Sequence, residues 1–90
     1  MATLITTNGE EIKVQPGNGS DFSLKELQGL VNGYIQVLQI DDKTYMVVDE
    51  EGKIKNKPLN EKATKMVREI LLTVDYIVGD VLICDDSEIK

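Results

Sequence analysis

The chain has no histidine and no tryptophan, two prolines and a single cysteine, Cys84, among 90 residues. Without histidine, Ser-His-Asp and Cys-His nucleophilic machinery is excluded, as are most zinc and other transition-metal sites. A lone cysteine excludes an intramolecular disulfide and fits a reducing compartment. The acidic neighbours Asp85 and Asp86 and the apolar run before it push the Cys84 thiol pKa upward, so Cys84 reads as a small hydrophobe. No apolar stretch approaches the ~18–20 residues of a membrane span. The N-terminal MATLITTNGEE lacks the basic and apolar regions of a signal peptide. A cytoplasmic protein without a membrane contact is expected. The phosphate-loop patterns GxxxxGK[ST] and GxGxxG are also missing, which argues against an NTPase or a dinucleotide dehydrogenase. The acidic groups Asp41-Asp42, Asp49-Glu50-Glu51 and Asp85-Asp86 lack the spacing of a calcium loop. No cofactor, metal or catalytic set is therefore expected, and the chain does not read as an enzyme.

What is present is acid, with one exception. The net charge is −6 and the pI is about 4.5. That balance argues against direct binding to a nucleic-acid backbone, which needs a broad basic face. Residues 1–52 hold three lysines and nine acids, and residues 69–90 hold one lysine and six acids. Between them, Lys53 to Arg68 (KIKNKPLNEKATKMVR) carries six of the ten basic residues and one acid, Glu61. A positive block inside an acidic chain is where an anionic ligand would sit; the alternative is that it is only the solvated face of a helix.

Ninety residues make one small domain spanning 1–90. Asn8-Gly9 between Thr3–Thr6 and Glu11–Val14 predicts a hairpin whose two central residues take positive φ. Gln15 to Ser20 is a loop. Ser23-Leu-Lys-Glu26 reads as a capping box, with Phe22 and Leu27 at staple spacing. Leu24, Leu27, Leu30 and Val31 share a helical face, and Asn32-Gly33 ends that helix. Tyr34–Ile40 and Thr44–Val48 predict a second hairpin. Lys53-Ile-Lys55 suits a short edge strand. Asn60 is the expected N-cap of a second helix with Ala63, Met66, Val67, Ile70 and Leu71 on its buried stripe, fading near Thr73. Asp75–Cys84 predicts a last strand, broken at Gly79-Asp80. The order ββ-α-ββ-α-β implies an α+β fold, a mainly antiparallel sheet with both helices on one face. A half-open barrel capped by the helices is the alternative.

The start of the second helix is where the basic block and ligand chemistry meet. A helix N-terminus favours an anion through its first amides and its dipole. Lys53, Lys55 and Lys57 precede that start, and Lys62 and Lys65 follow it. Asn60 and Thr64 add polar groups, and Tyr34 could stack on a base. These eight residues form the candidate ligand site.

Asn32-Gly-Tyr-Ile-Gln-Val37, Asp49-Glu-Glu-Gly-Lys53, Pro58-Leu-Asn60 with Ala63-Thr64, and Asp75-Tyr-Ile-Val-Gly-Asp-Val-Leu-Ile83 resemble a domain-of-unknown-function family. Gln36 stands where that pattern often has an acid. The family's members are small proteins of phages, plasmids and Gram-positive bacteria, so the resemblance implies a mobile-element accessory protein. By analogy, such a protein disarms host defence by sequestering a nucleotide signal or by binding a defence protein. The first expectation is a non-catalytic binder of a small anionic, nucleotide-like molecule, a homo-oligomer with its pocket at a subunit interface. The second is an acidic, DNA-mimicking inhibitor of a host defence or restriction protein, acting through Asp41, Asp42, Asp49, Glu50 and Glu51.

Overall fold

The computed structural model describes residues 2–70 and 76–89. Among the described residues, five strands form one antiparallel sheet: β1 (Ala2–Ile5), β2 (Glu11–Val14), β3 (Ile35–Gln39), β4 (Thr44–Asp49) and β5 (Val81–Asp85). Their spatial order is β2-β1-β5-β4-β3. Helix α1 (Leu24–Val31) follows the first hairpin, and α2 (Glu61–Ile70) follows the second. The predicted α+β class and the order ββ-α-ββ-α-β are both found.

The helices, however, lie on opposite faces of the sheet rather than on one. The core divides into two clusters that alternate along each strand. Val47, Leu82 and Cys84 pack with Leu27 and Val31 of α1. Met46, Val48 and Val81 pack with Ala63 and Val67 of α2. Successive side chains of a strand point to opposite faces, so the two clusters are the two faces. The reason is in β4 and β5. Met46-Val-Val48 and Val81-Leu82 are buried without interruption. A strand apolar on both sides needs cover on both sides.

Local chemistry sets the element ends. The capping box forms as expected: the Glu26 amide donates to Ser23 Oγ at 3.1 Å, and the Ser23 amide donates to Glu26 Oε1 at 2.9 Å. Phe22 and Leu27 are buried in the same cluster, as the staple predicts. Leu24 departs from its predicted face and is 59% exposed. At the other end of α1 it is Asn32, not Gly33, that takes the left-handed conformation (φ 59°). In the first hairpin only Gly9 has positive φ (86°), because the turn is a residue longer than a two-residue loop. Gly9 closes it by donating to the Thr6 carbonyl, and the Thr6 amide donates to Glu10.

Two strand expectations are corrected. Lys53-Ile-Lys55 is not an edge strand. Residues 51–56 form a helical turn in which the Lys55 amide donates to the Glu51 carbonyl. Asn56 (φ 57°) ends it, with the Lys57 amide donating back to the Gly52 carbonyl. The last strand is confined to Val81–Asp85, beyond the break at Gly79. Upstream of the break, Val78 bridges Leu59. The predicted positions of Leu71, Thr73 and Asp75 lie outside the described residues.

Candidate functional site

The basic block is dispersed by the fold into three places, and its first part is turned away from α2. Asp49, at the end of β4, has a side chain only 1% exposed. Its Oδ2 meets Lys57 Nζ at 2.6 Å and Lys55 Nζ at 3.0 Å. Its Oδ1 accepts from the Glu51 amide at 2.9 Å. Burial pushes the carboxyl pKa up, but the Lys57 bond, the Glu51 amide and Lys55 outweigh it, so the pKa is lowered overall. Lys57 Nζ also donates to the carbonyls of Val31 at 2.7 Å and Asn32 at 3.1 Å. All three donors of that ammonium are therefore used. The lysine holds the carbonyl end of α1, where the helix dipole favours a cation.

Gly33 completes this node. A Cβ on Gly33 would lie 2.5 Å from Asp49 Oδ1. The glycine is required by the carboxylate that packs against it, not by a left-handed backbone. Lys55 lies half-exposed beside the node, and with Tyr34, Gly33 and Gln28 it lines a depression of about 220 Å³. Tyr34 is 64% exposed. Lys53 lies apart from both, 4.1 Å from the centroid of the Tyr76 ring.

Asn60 and Thr64 belong to the frame of α2. Asn60 is fully buried. Its Oδ1 accepts from the Ala63 amide at 3.1 Å, the N-cap bond that was expected. Its Nδ2 donates to the carbonyls of Ile5 and Gly79 at 3.0 and 2.9 Å, tying the helix start to β1 and to the loop before β5. The Thr64 hydroxyl accepts from the Ile77 amide at 2.9 Å. Both side chains are thus engaged inside the protein.

Lys62 and Lys65 remain at the start of α2, and both are exposed. With Thr7, Asn8, Gly9 and Glu61 they line a cleft of about 270 Å³ between α2 and the β1–β2 turn. Lys62 Nζ donates to the Gly9 carbonyl at 2.8 Å and to Glu11 Oε2 at 3.0 Å. That bond with Lys62 lowers the Glu11 pKa. Both partners are solvated, so the pair is weak, screened by salt and easily exchanged for another anion. The first amides of α2, those of Glu61 and Lys62, precede the first intrahelical bond, from Thr64 to Asn60.

Of the eight predicted residues, the structure brings Lys62 and Lys65 together in one cleft and Tyr34 and Lys55 together in another. The two clefts are on opposite edges of the sheet, since Lys62 reaches β2 and Tyr34 flanks β3. Thr7, Asn8 and Gly9 escaped the sequence reading because their turn chemistry was sufficient to account for them. Cys84 is buried, and burial, with Glu88 and Asp85 nearby, pushes its thiol pKa up to about 12. No described helix is long and apolar enough to cross a membrane.

No curated protein and no solved structure matches the chain significantly. Residues 1–89 match one family model, and the chain belongs to that family, described as Domain of unknown function (DUF3846).

Proposed function

We propose that this domain is a non-catalytic binding protein for a small anionic, nucleotide-like molecule, held in the cleft between the β1–β2 turn and the start of α2. The observation that carries this reading is that Lys62 and Lys65, in the first turns of α2, line one concave surface with the β1–β2 turn. A helix N-terminus and two ammonium groups favour the same sign of charge. Glu61 lines the same cleft and Glu11 pairs with Lys62, so the charged side chains there balance until a ligand displaces Glu11, which leaves a single positive charge. That favours a phosphodiester or monophosphate over a polyphosphate. At about 270 Å³ the cleft is at the small end of ligand pockets, on the scale of a mononucleotide. In this proposal the protein is a cytoplasmic accessory of a phage or plasmid that sequesters a host nucleotide signal.

The test is mass spectrometry of small molecules released from the purified protein after exposure to lysate of a defence-activated host. A retained nucleotide supports the reading. A clean, folded protein that also gives no heat with a panel of cyclic and ADP-ribose-type nucleotides sinks it.

A second reading has its own observation. Asp85 of β5 pairs with Thr44, which brings Asp85 and Asp86 beside the Asp41-Asp42 turn, with Lys43 among them. Asp49 is buried in its lysine node, so an acidic inhibitor would act through Asp41, Asp42, Asp85 and Asp86 instead. Capture of a host protein that survives neutralisation of these four residues would remove this reading.

A further inference from the structure

One edge of the sheet is built to pair and the other is not. The outer strand β2 is four residues long and carries Glu11 and Lys13. Short length and charged side chains are two ways of keeping an edge from pairing. The outer strand β3 is IQVLQ, without a charge. Gln36, Val37 and Gln39 are exposed, Val37 by 41%.

The ladder to β4 determines which backbone groups of β3 are left over. The Tyr34 carbonyl accepts from the Glu50 amide at 2.8 Å, and the Ile40 amide donates to the Thr44 carbonyl at 2.9 Å. Residues at even positions therefore turn their N–H and C=O groups toward β4. Ile35, Val37 and Gln39 turn theirs to the open side.

We propose that β3 pairs antiparallel with β3 of a second copy of this chain, across a two-fold axis at Val37, joining the two sheets into one. Three features of the strand fit a second copy. First, the outward groups are self-complementary. With Val37 opposite Val37, Ile35 meets Gln39, and every outward N–H and C=O of these residues finds a partner. Second, the apolar side chains match. Tyr34, the most exposed aromatic side chain of the described residues, comes opposite half-buried Ile40, an aromatic–aliphatic pair on adjacent strands. Third, the ends carry opposite charge. Asp41 and Asp42, both exposed, come opposite Gly33 and Asn32 of the second copy. Lys55 lines the depression with Gly33 and Tyr34, its ammonium 3.4 Å from the Asn32 carbonyl; it shares Asp49 with Lys57, so the node keeps one net positive charge. Glu50 is one strand further in, bonded to Tyr34 from the β4 side. This interface is independent of the proposed ligand cleft, which lies at the β2 edge.

The experiment is sedimentation equilibrium of the full chain and of Val37→Lys, from about 1 μM to about 1 mM. The wild type is expected to rise from 10.0 kDa to twice that mass. Val37→Lys places two ammonium groups on the axis and is expected to weaken dimerisation at least about 100-fold. Asp42→Lys, at an exposed turn, is expected to weaken it less and to remove its salt dependence. Amide exchange of the wild type supplies a check that needs no variant to fold. The Ile35, Val37 and Gln39 amides are expected to be protected at high concentration and to lose protection on dilution. A wild type that stays monomeric overturns the proposal and leaves the edge to a different partner. A dimer that persists in folded Val37→Lys, or edge amides whose exchange ignores concentration, overturns it too.

Discussion

Asp49 is the residue on which the basic block turns. Its carboxylate is nearly inaccessible, yet two ammonium groups and a backbone amide hold it in the charged form. Asp49→Asn keeps the shape and leaves Lys57 partly buried without its counter-charge, so it is expected to cost about 3 kcal/mol at neutral pH. The pH dependence has a definite sign. The folded pKa of Asp49 is lowered, so this stabilisation is present above the unfolded value of about 4 and is lost as pH falls through the folded value. Urea midpoints should show a wide gap between wild type and Asp49→Asn at pH 7 that narrows in acid. A gap that is constant with pH would mean that the carboxylate is not held charged by its lysines. Gly33→Ala attacks the same node from the other side, since its Cβ would collide with the carboxylate. It should cost about 2 kcal/mol, on the order of 10 °C in Tm, and thermal unfolding followed by circular dichroism would read it. Neither effect was legible in the sequence. Lys57 and Val31 are 26 positions apart, and nothing local shows that Asp49 is buried.

At the scale of elements, what was readable was what short-range chemistry decides. Ser23 and Glu26 announce α1, Asn60 announces α2, and the alternation of hairpins and helices gives the order of strands. The face on which each helix packs depends on long-range contact, and it was misread. The signal was available all the same: Met46-Val-Val48 and Val81–Cys84 are apolar at every position, a pattern that a sheet with one covered face does not require. The Lys53–Lys55 alternation had the period of a strand by coincidence, and the hydrogen bonds of a helical turn prevail there. Asn60 is the clearest case of an element tied to the whole. As a cap alone, Asn60→Ala would cost about 1 kcal/mol. Because Nδ2 also serves buried carbonyls on Ile5 and Gly79, the expected loss is about 3 kcal/mol. Asn60→Asp keeps the cap oxygen and removes the donor to both carbonyls, so its urea midpoint should fall with Asn60→Ala. A midpoint close to wild type in Asn60→Asp would reduce this residue to a simple cap.

At the scale of the molecule, the positive segment and the acidic remainder are not two separate surfaces. Part of the basic block neutralises Asp49 and the end of α1, part touches Tyr76, and Lys62 and Lys65 frame the cleft beside the β1–β2 turn. The segment is therefore not one continuous surface, and the ligand proposal stands on two lysines and a turn. Exposed polar side chains dominate this cleft, so substitutions there should alter binding without altering stability. Lys62→Ala and Lys65→Ala are expected to leave Tm within about 3 °C of wild type. The most direct measurement is calorimetric titration of the wild type and of the double variant with cyclic and monophosphate nucleotides at low and high salt. The account predicts binding to the wild type that weakens with salt and falls at least about tenfold in the double variant. Equal binding by both proteins, or none by a folded wild type, would contradict it.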